Sequence, residues 1–177
     1  MTAHSQNVQI GEFLTLFNYY KVEHMDSEYI HVVDEQGNRV RISKPIVNDS
    51  MHSTTQYTKS VKVTRTRLAQ IMEGVGHAAF CVTFKKQVTP TSVADELENK
   101  DLGTKAKRRK VLNELMAGET RVMHAKLQRS IEDDVEMELG RYKVIDLENS
   151  EPGKPAMRLV DTRTVSELIV EGVRYHT

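Results

Sequence analysis

Hydrophobic and polar positions alternate along both ends of this chain and recur with helical spacing in its middle, and that change of period sets the expected fold. Residues 13–20, Phe-Leu-Thr-Leu-Phe-Asn-Tyr-Tyr, are dense in aromatic and aliphatic side chains and predict one strand running on to Val22. Tyr29-Ile30-His31-Val32-Val33 predicts a second strand. Between it and the next lies Asp34-Glu35-Gln36-Gly37-Asn38, a turn in which glycine can take the positive φ of a tight hairpin. Arg39-Val40-Arg41-Ile42-Ser43 alternates polar and apolar and predicts a third strand, ended by Pro45, which has no N–H to give to a ladder. Three antiparallel strands in succession make a meander with one wet face, and their number suggests a small barrel of the SH3-like or OB type.

Residues 48–60 are polar and predict a loop. A short strand at 61–63 precedes a helix starting at Thr64, in which Leu68, Ile71, Met72 and Val75 follow the i, i+3, i+4, i+7 rule and Gly74 or Gly76 ends the run. Residues 79–84 predict a buried strand. Ser92 followed three residues later by Asp95 resembles a capping box and opens a short helix ending near Gly103. Thr104 can cap a further helix with Val111, Leu112, Leu115 and Met116 on one face and Gly118 as its stop. Strand signals return at 121–128, 141–147 and 157–160, with a turn at 151–155. Residues 168–175 predict a tight hairpin through Glu171-Gly172. The expected class is α+β: a β-rich part with one helix over 1–90, a helical basic segment over 91–119, and a β-rich part over 120–177, within the size of one domain.

Composition narrows the setting. Hydrophobic residues at 38% and charged residues at 28% suit a globular chain and argue against wholesale disorder. The longest apolar run, residues 78–82, is far short of the roughly 20 residues of a membrane helix. The first residues lack the basic start and apolar segment of a secretory signal. The single cysteine, Cys81, lies in an apolar stretch and reads as a buried, inert thiol. These features point to a reducing cytoplasm. The net charge of zero hides a segregation: residues 1–56 carry four basic and seven acidic side chains, residues 57–129 fifteen and seven, residues 130–177 six and eleven. The middle third is therefore strongly positive between two acidic ends, which either leave it open or fold over and neutralise it.

Candidate chemistry is sparse. The seven histidines include no pair at the i, i+4 spacing of a zinc enzyme. His24 and His31 flank a predicted turn and can meet across a hairpin, as a metal pair or as two solvated rings. Gly74-Val75-Gly76 is too short for a phosphate loop and follows a helix rather than a strand. No Gly-x-Ser-x-Gly elbow is present, and Cys81 has no activating neighbour in sequence. The acidic run 132–138 lacks the spacing of a calcium loop and reads as a solvated segment. No catalytic residue, metal or cofactor is expected.

The basic segment stands out. Lys100, Lys105, Lys107, Arg108, Arg109 and Lys110 face only Asp101 over residues 100–110. On a helix, Lys107 and Lys110 would share a side and Arg108 would stand apart from Val111 and Leu115, letting the charges project while the helix stays docked. Four or five phosphate contacts would give roughly micromolar, salt-sensitive binding without base reading. Arg65, Arg67, Lys85 and Lys86 extend the patch if the first helix and the central strand lie alongside. Phe17, Tyr19 and Tyr20 can stack bases if the meander face is open, or pack the core.

Residues 140–147, 158–165 and 168–175 resemble small uncharacterised proteins of tailed bacteriophages, as does the stretch 42–47 more loosely. The resemblance implies a setting in the host bacterial cytoplasm, among accessory proteins that bind DNA or host machinery; it implies no site residue. Two readings follow. One is a non-enzymatic nucleic-acid-binding protein using Lys105, Lys107, Arg108, Arg109, Lys110, Arg65 and Arg67. The other is an interaction module for a host protein, working through the acidic run or a strand edge. Neither reading involves a membrane, and the oligomeric state is left open.

Overall fold

The fold comes from a computed structural model, which describes residues 8–16, 18–76, 78–86, 104–128 and 140–177. The expected helix at 92–103, Lys100, the acidic run 132–138 and Phe17 lie outside them. The class is α+β, with most ordered residues in two sheets.

The first sheet is a meander. Strands β1 (Phe13–Leu16) and β2 (Asn18–Met25) form an antiparallel hairpin that pairs Phe13 with Lys21 and Leu16 with Asn18. The sequence predicted a single strand over 13–22. Strand propensity is high along the whole stretch, and no Gly or Pro marks the reversal. Strand β3 (Tyr29–Asp34) pairs with β2, and β4 (Arg39–Ser43) with β3. The turn between them is built as expected: Gly37 takes φ +84° and the Asp34 carboxylate accepts the Gln36 and Asn38 N–H groups at 2.9 and 2.8 Å. These bonds, led by the Asn38 side chain, hold the Asp34 carboxyl below the usual range. Pro45 does end the ladder, but it also opens helix α1 (Lys44–Ser50), where proline in the first turn costs no hydrogen bond. Residues 48–60 are accordingly not one loop. Strand β5 (His52–Ser53) follows and pairs with β1, giving the order β4-β3-β2-β1-β5. Among the described residues the expected barrel does not close, since β4 and β5 are the edges of the sheet, and a meander is not the Greek key of an OB fold.

The second sheet holds seven strands in the order β10-β9-β8-β7-β11-β12-β6. Strand β6 (Lys59–Lys62) runs parallel to β12 (Val173–His176). Helix α2 (Arg65–Gly74) starts at its Thr64 cap and buries Leu68 and Met72 against the sheet. Strand β7 (Ala79–Lys85) is central; helix α3 (Lys105–Ala117) lies between it and β8 (Thr120–Leu127) in sequence. Strands β9 (Arg141–Glu151) and β10 (Lys154–Asp161) form a long hairpin, a 3₁₀ turn (Thr162–Thr164) follows, and β11 (Val165–Val170) pairs with β7. The β11–β12 turn is as predicted, with Glu171 at φ 49° and Gly172 at 73°, the type I′ geometry. Strands β6 and β7 thus share a sheet with the C-terminal strands rather than with the meander. The core gathers Phe80, Val82, Val144, Val160 and Leu168 under α2.

The two sheets meet at Phe13, Ala79 and Leu147, all buried. The Ala79 N–H donates to Thr15 Oγ1 at 3.3 Å, and Lys126 pairs with Glu35 at 2.6 Å with both side chains largely buried. His124 of β8 sits in the same seam, stacked 5.2 Å from the Phe13 ring and 2.9 Å from Thr54 Oγ1. Burial lowers its pKa, outweighing the opposing pull of Glu148, Glu12 and Asp146. The native ring is neutral, whereas in the unfolded chain it takes a proton near its ordinary value of about 6.5. The stability it contributes is therefore complete above that value and lost as pH falls below it. Urea midpoints should drop between about pH 7 and pH 5, and His124→Gln should remove part of that slope. An unchanged slope in the variant would exclude His124 as the titrating group.

Candidate nucleic-acid interface

Helix α3 begins where the sequence placed it. Thr104 caps it, its Oγ1 accepting the Lys107 N–H at 3.4 Å and its carbonyl the Arg108 N–H at 3.1 Å. All side chains at 105–110 are exposed. Among the described residues, no carboxylate is paired with Lys105, Lys107, Arg108 or Arg109.

The expected docking face of this helix consists of Val111, Leu112, Leu115 and Met116, of which the first two are described. None of its described side chains is buried; Val111 is half-buried and Leu112 exposed, while the side chains of Leu115 and Met116 lie outside the description. One part of the expected spacing is corrected by helix geometry. Arg108 precedes Val111 by three residues and Leu112 by four, so it stands over the apolar face instead of apart from it. Lys105 lies three residues before Arg108 and four before Arg109. Cations thus surround the first two turns of the helix.

The helix is rooted at the end of β7. Gly118 stops it with φ +72°, and a Cβ there would lie 2.8 Å from the Lys86 carbonyl oxygen, so only glycine fits. The Lys86 N–H donates to the Glu119 carbonyl at 2.9 Å, closing the base of the insertion.

A second cationic feature opens at the same end of the sheet. Val165 pairs with Phe84 and Asp161 pairs with Arg141, with only the 3₁₀ turn between them. The sheet must coil strongly to allow this, and the coil carries the β9–β10 ends to the end of β7. The resulting cleft has a volume of about 380 Å³ and is lined by Lys85, Lys86, Arg121, Arg141 and Arg158. Among the described residues its lining holds one carboxylate, Asp161, which is bound by Arg163, whose Nε lies 2.9 Å from Oδ1 and 3.1 Å from Oδ2. That bond holds the Asp161 carboxyl below its usual range. Arg121 pairs with Glu119 at 3.2 Å and Arg158 with Asp146 at 3.6 Å, whereas neither Lys85 nor Lys86 has an ion pair among the described residues. Phe84 and Leu159 form an apolar wall, and Leu159 is 51% exposed.

Of the other residues singled out by sequence, Arg65 reaches this region: its guanidinium donates to the Arg163 carbonyl beside the 3₁₀ turn. Arg67 turns along α2 to Gln70 at 3.2 Å. Sequence reasoning missed Arg121, Arg141 and Arg158. Each is an isolated cation on a strand, and only strand register combined with the coil of the sheet brings them together.

The remaining candidates resolve simply. Cys81 is buried, and desolvation pushes its thiol up to about 12, as expected of an inert core cysteine. His24 and His31 do meet across β2 and β3, with rings 5.5 Å apart, but His31 is held by Asp26 at 2.8 Å. Among the described residues, no three metal-binding side chains converge. A wider groove of about 570 Å³ between the sheets has Lys21, Glu23, Arg39 and Glu35 on its walls; Arg39 pairs with Glu23, and Glu35 with Lys126. No described helix is long and apolar enough to cross a membrane. Comparison with protein-family models, with curated proteins and with solved structures finds no match.

Proposed function

We propose that this chain is a non-enzymatic nucleic-acid-binding accessory protein, encoded by a tailed bacteriophage and acting in the host cytoplasm, with helix α3 as its phosphate-contacting element. One observation carries the reading: the cations at 105–110 are exposed, and no described carboxylate is paired with Lys105, Lys107, Arg108 or Arg109. The charge layout supports it. Helix α3 has no acidic residue in its first turn, so its leading cations oppose the helix dipole and repel one another at i, i+3 and i, i+4. A bound polyanion relieves both penalties.

A protein-partner reading has its own support. Strand β10 is an edge of the second sheet and exposes Leu159 and Met157, as strand addition requires. A pull-down from bacterial lysate with and without nuclease separates the two. Loss of all captured partners on digestion is expected; a protein that stays bound after digestion would favour the edge strand and reject the nucleic-acid reading.

A further inference from the structure

We infer that the cleft at the end of β7 is a seat for single-stranded nucleic acid, with one phosphate held by Lys85 and Lys86 and the adjoining base laid against Leu159. The inference rests on the nucleic-acid reading above and extends it from a helix to a second, concave site with a strand preference.

Shape and chemistry select this ligand. A duplex presents its phosphates on a convex surface and keeps its bases stacked inside, so it cannot enter a concavity of about 380 Å³. A single strand can, because its unstacked bases offer an apolar face and its backbone a separate charge. The cleft offers both: Lys85, Lys86 and Arg121 line it where β7 meets β8, and Leu159, 51% exposed, lines it from β10. Volume places it at the lower end of small-ligand sites, which suits about one nucleotide. Proximity to α3 favours a polymer over a free nucleotide. The helix is rooted against Lys86 by its C-terminal end, and its thirteen residues span about 20 Å, so the cations at 105–110 at its other end lie within reach of a few nucleotides from the cleft.

The test uses the full chain and a fluorescent oligothymidylate of about twelve nucleotides, with a duplex of equal length as comparison. Lys85→Gln with Lys86→Gln should weaken oligothymidylate binding by about tenfold and make its salt dependence shallower by about 0.7, the share of the one phosphate they hold. Duplex binding should change less than about twofold, and Leu159→Ser should also weaken the single strand alone. Neutralising α3 should weaken both ligands. Unchanged oligothymidylate binding in the double variant, with loss only on neutralising α3, would overturn the cleft and leave the helix reading intact. Loss only in the cleft variant would keep the cleft and remove α3 as the interface. Competition by thymidine monophosphate as effective as by the oligomer would make this a free-nucleotide site and overturn the inference. Native melting curves for both variants exclude unfolding as the cause.

Discussion

Changing Lys107, Arg108, Arg109 and Lys110 together to glutamine is expected to lower nucleic-acid affinity by about two orders of magnitude, to below detection at physiological salt. The basis is counterion release. Each phosphate neutralised by a fixed cation frees condensed ions, and four such contacts supply most of a non-specific, roughly micromolar affinity. The four side chains are all exposed, so the folded state loses no core contact when they change. Neutralising them also removes repulsion along the helix and the clash with its dipole. The melting temperature should therefore stay nearly the same while binding disappears. Fluorescence anisotropy alongside thermal unfolding by circular dichroism reads both quantities in one preparation. A binding curve that survives in the variant would dissociate α3 from the function.

The largest effect on stability should come from Phe13→Ala, at about 3–5 kcal/mol. Phe13 is 1% exposed, lies edge-on to Tyr19 at 6.1 Å, tilts against His124 at 5.2 Å, and packs with Ala79 and Leu147 where the sheets join. Truncation leaves a cavity that neither sheet can refill, because each is fixed by its own ladder. For a chain of this size the loss corresponds to a melting temperature lower by roughly 10 °C. Denaturant unfolding gives the free-energy change directly. A loss below about 1 kcal/mol would mean that the seam contributes little and that the sheets are stabilised separately.

Much of the fold was legible because local rules and tertiary packing agree over most of the chain. The β3–β4 hairpin, α2 with Leu68 and Met72 inward, β7 and the final type I′ hairpin all carry their signals in a few adjacent residues. The failures arise where the determining event is not local. The reversal between β1 and β2 lacks a turn residue, so an apolar run hides a hairpin. Pro45 suits the end of a strand and the first turn of a helix equally, so the strand signal before it hides the helix after it. The site divides in the same way. Residues 105–110 were visible as a density of charge, whereas Arg121, Arg141 and Arg158 are separated by up to 37 positions along the chain and converge through the coil of one sheet. No window of sequence shows that convergence.

The charge at 105–110 is also informative as a cost. A helix stabilised for its own sake would carry Asp or Glu in its first turn and a continuous apolar stripe. Helix α3 has no acidic residue in its first turn. Such conflicts between local rule and observed sequence concentrate where a chain serves a partner rather than its own fold.

The account therefore stands on the cations of α3 acting as an open, phosphate-binding surface. The salt dependence of wild-type binding to a short DNA duplex measures this most directly. Tight binding at about 50 mM salt, with log K falling against log salt at a slope of about −3 to −4, is the predicted result for four contacts. Absence of binding at low salt, or a slope near zero, would contradict it.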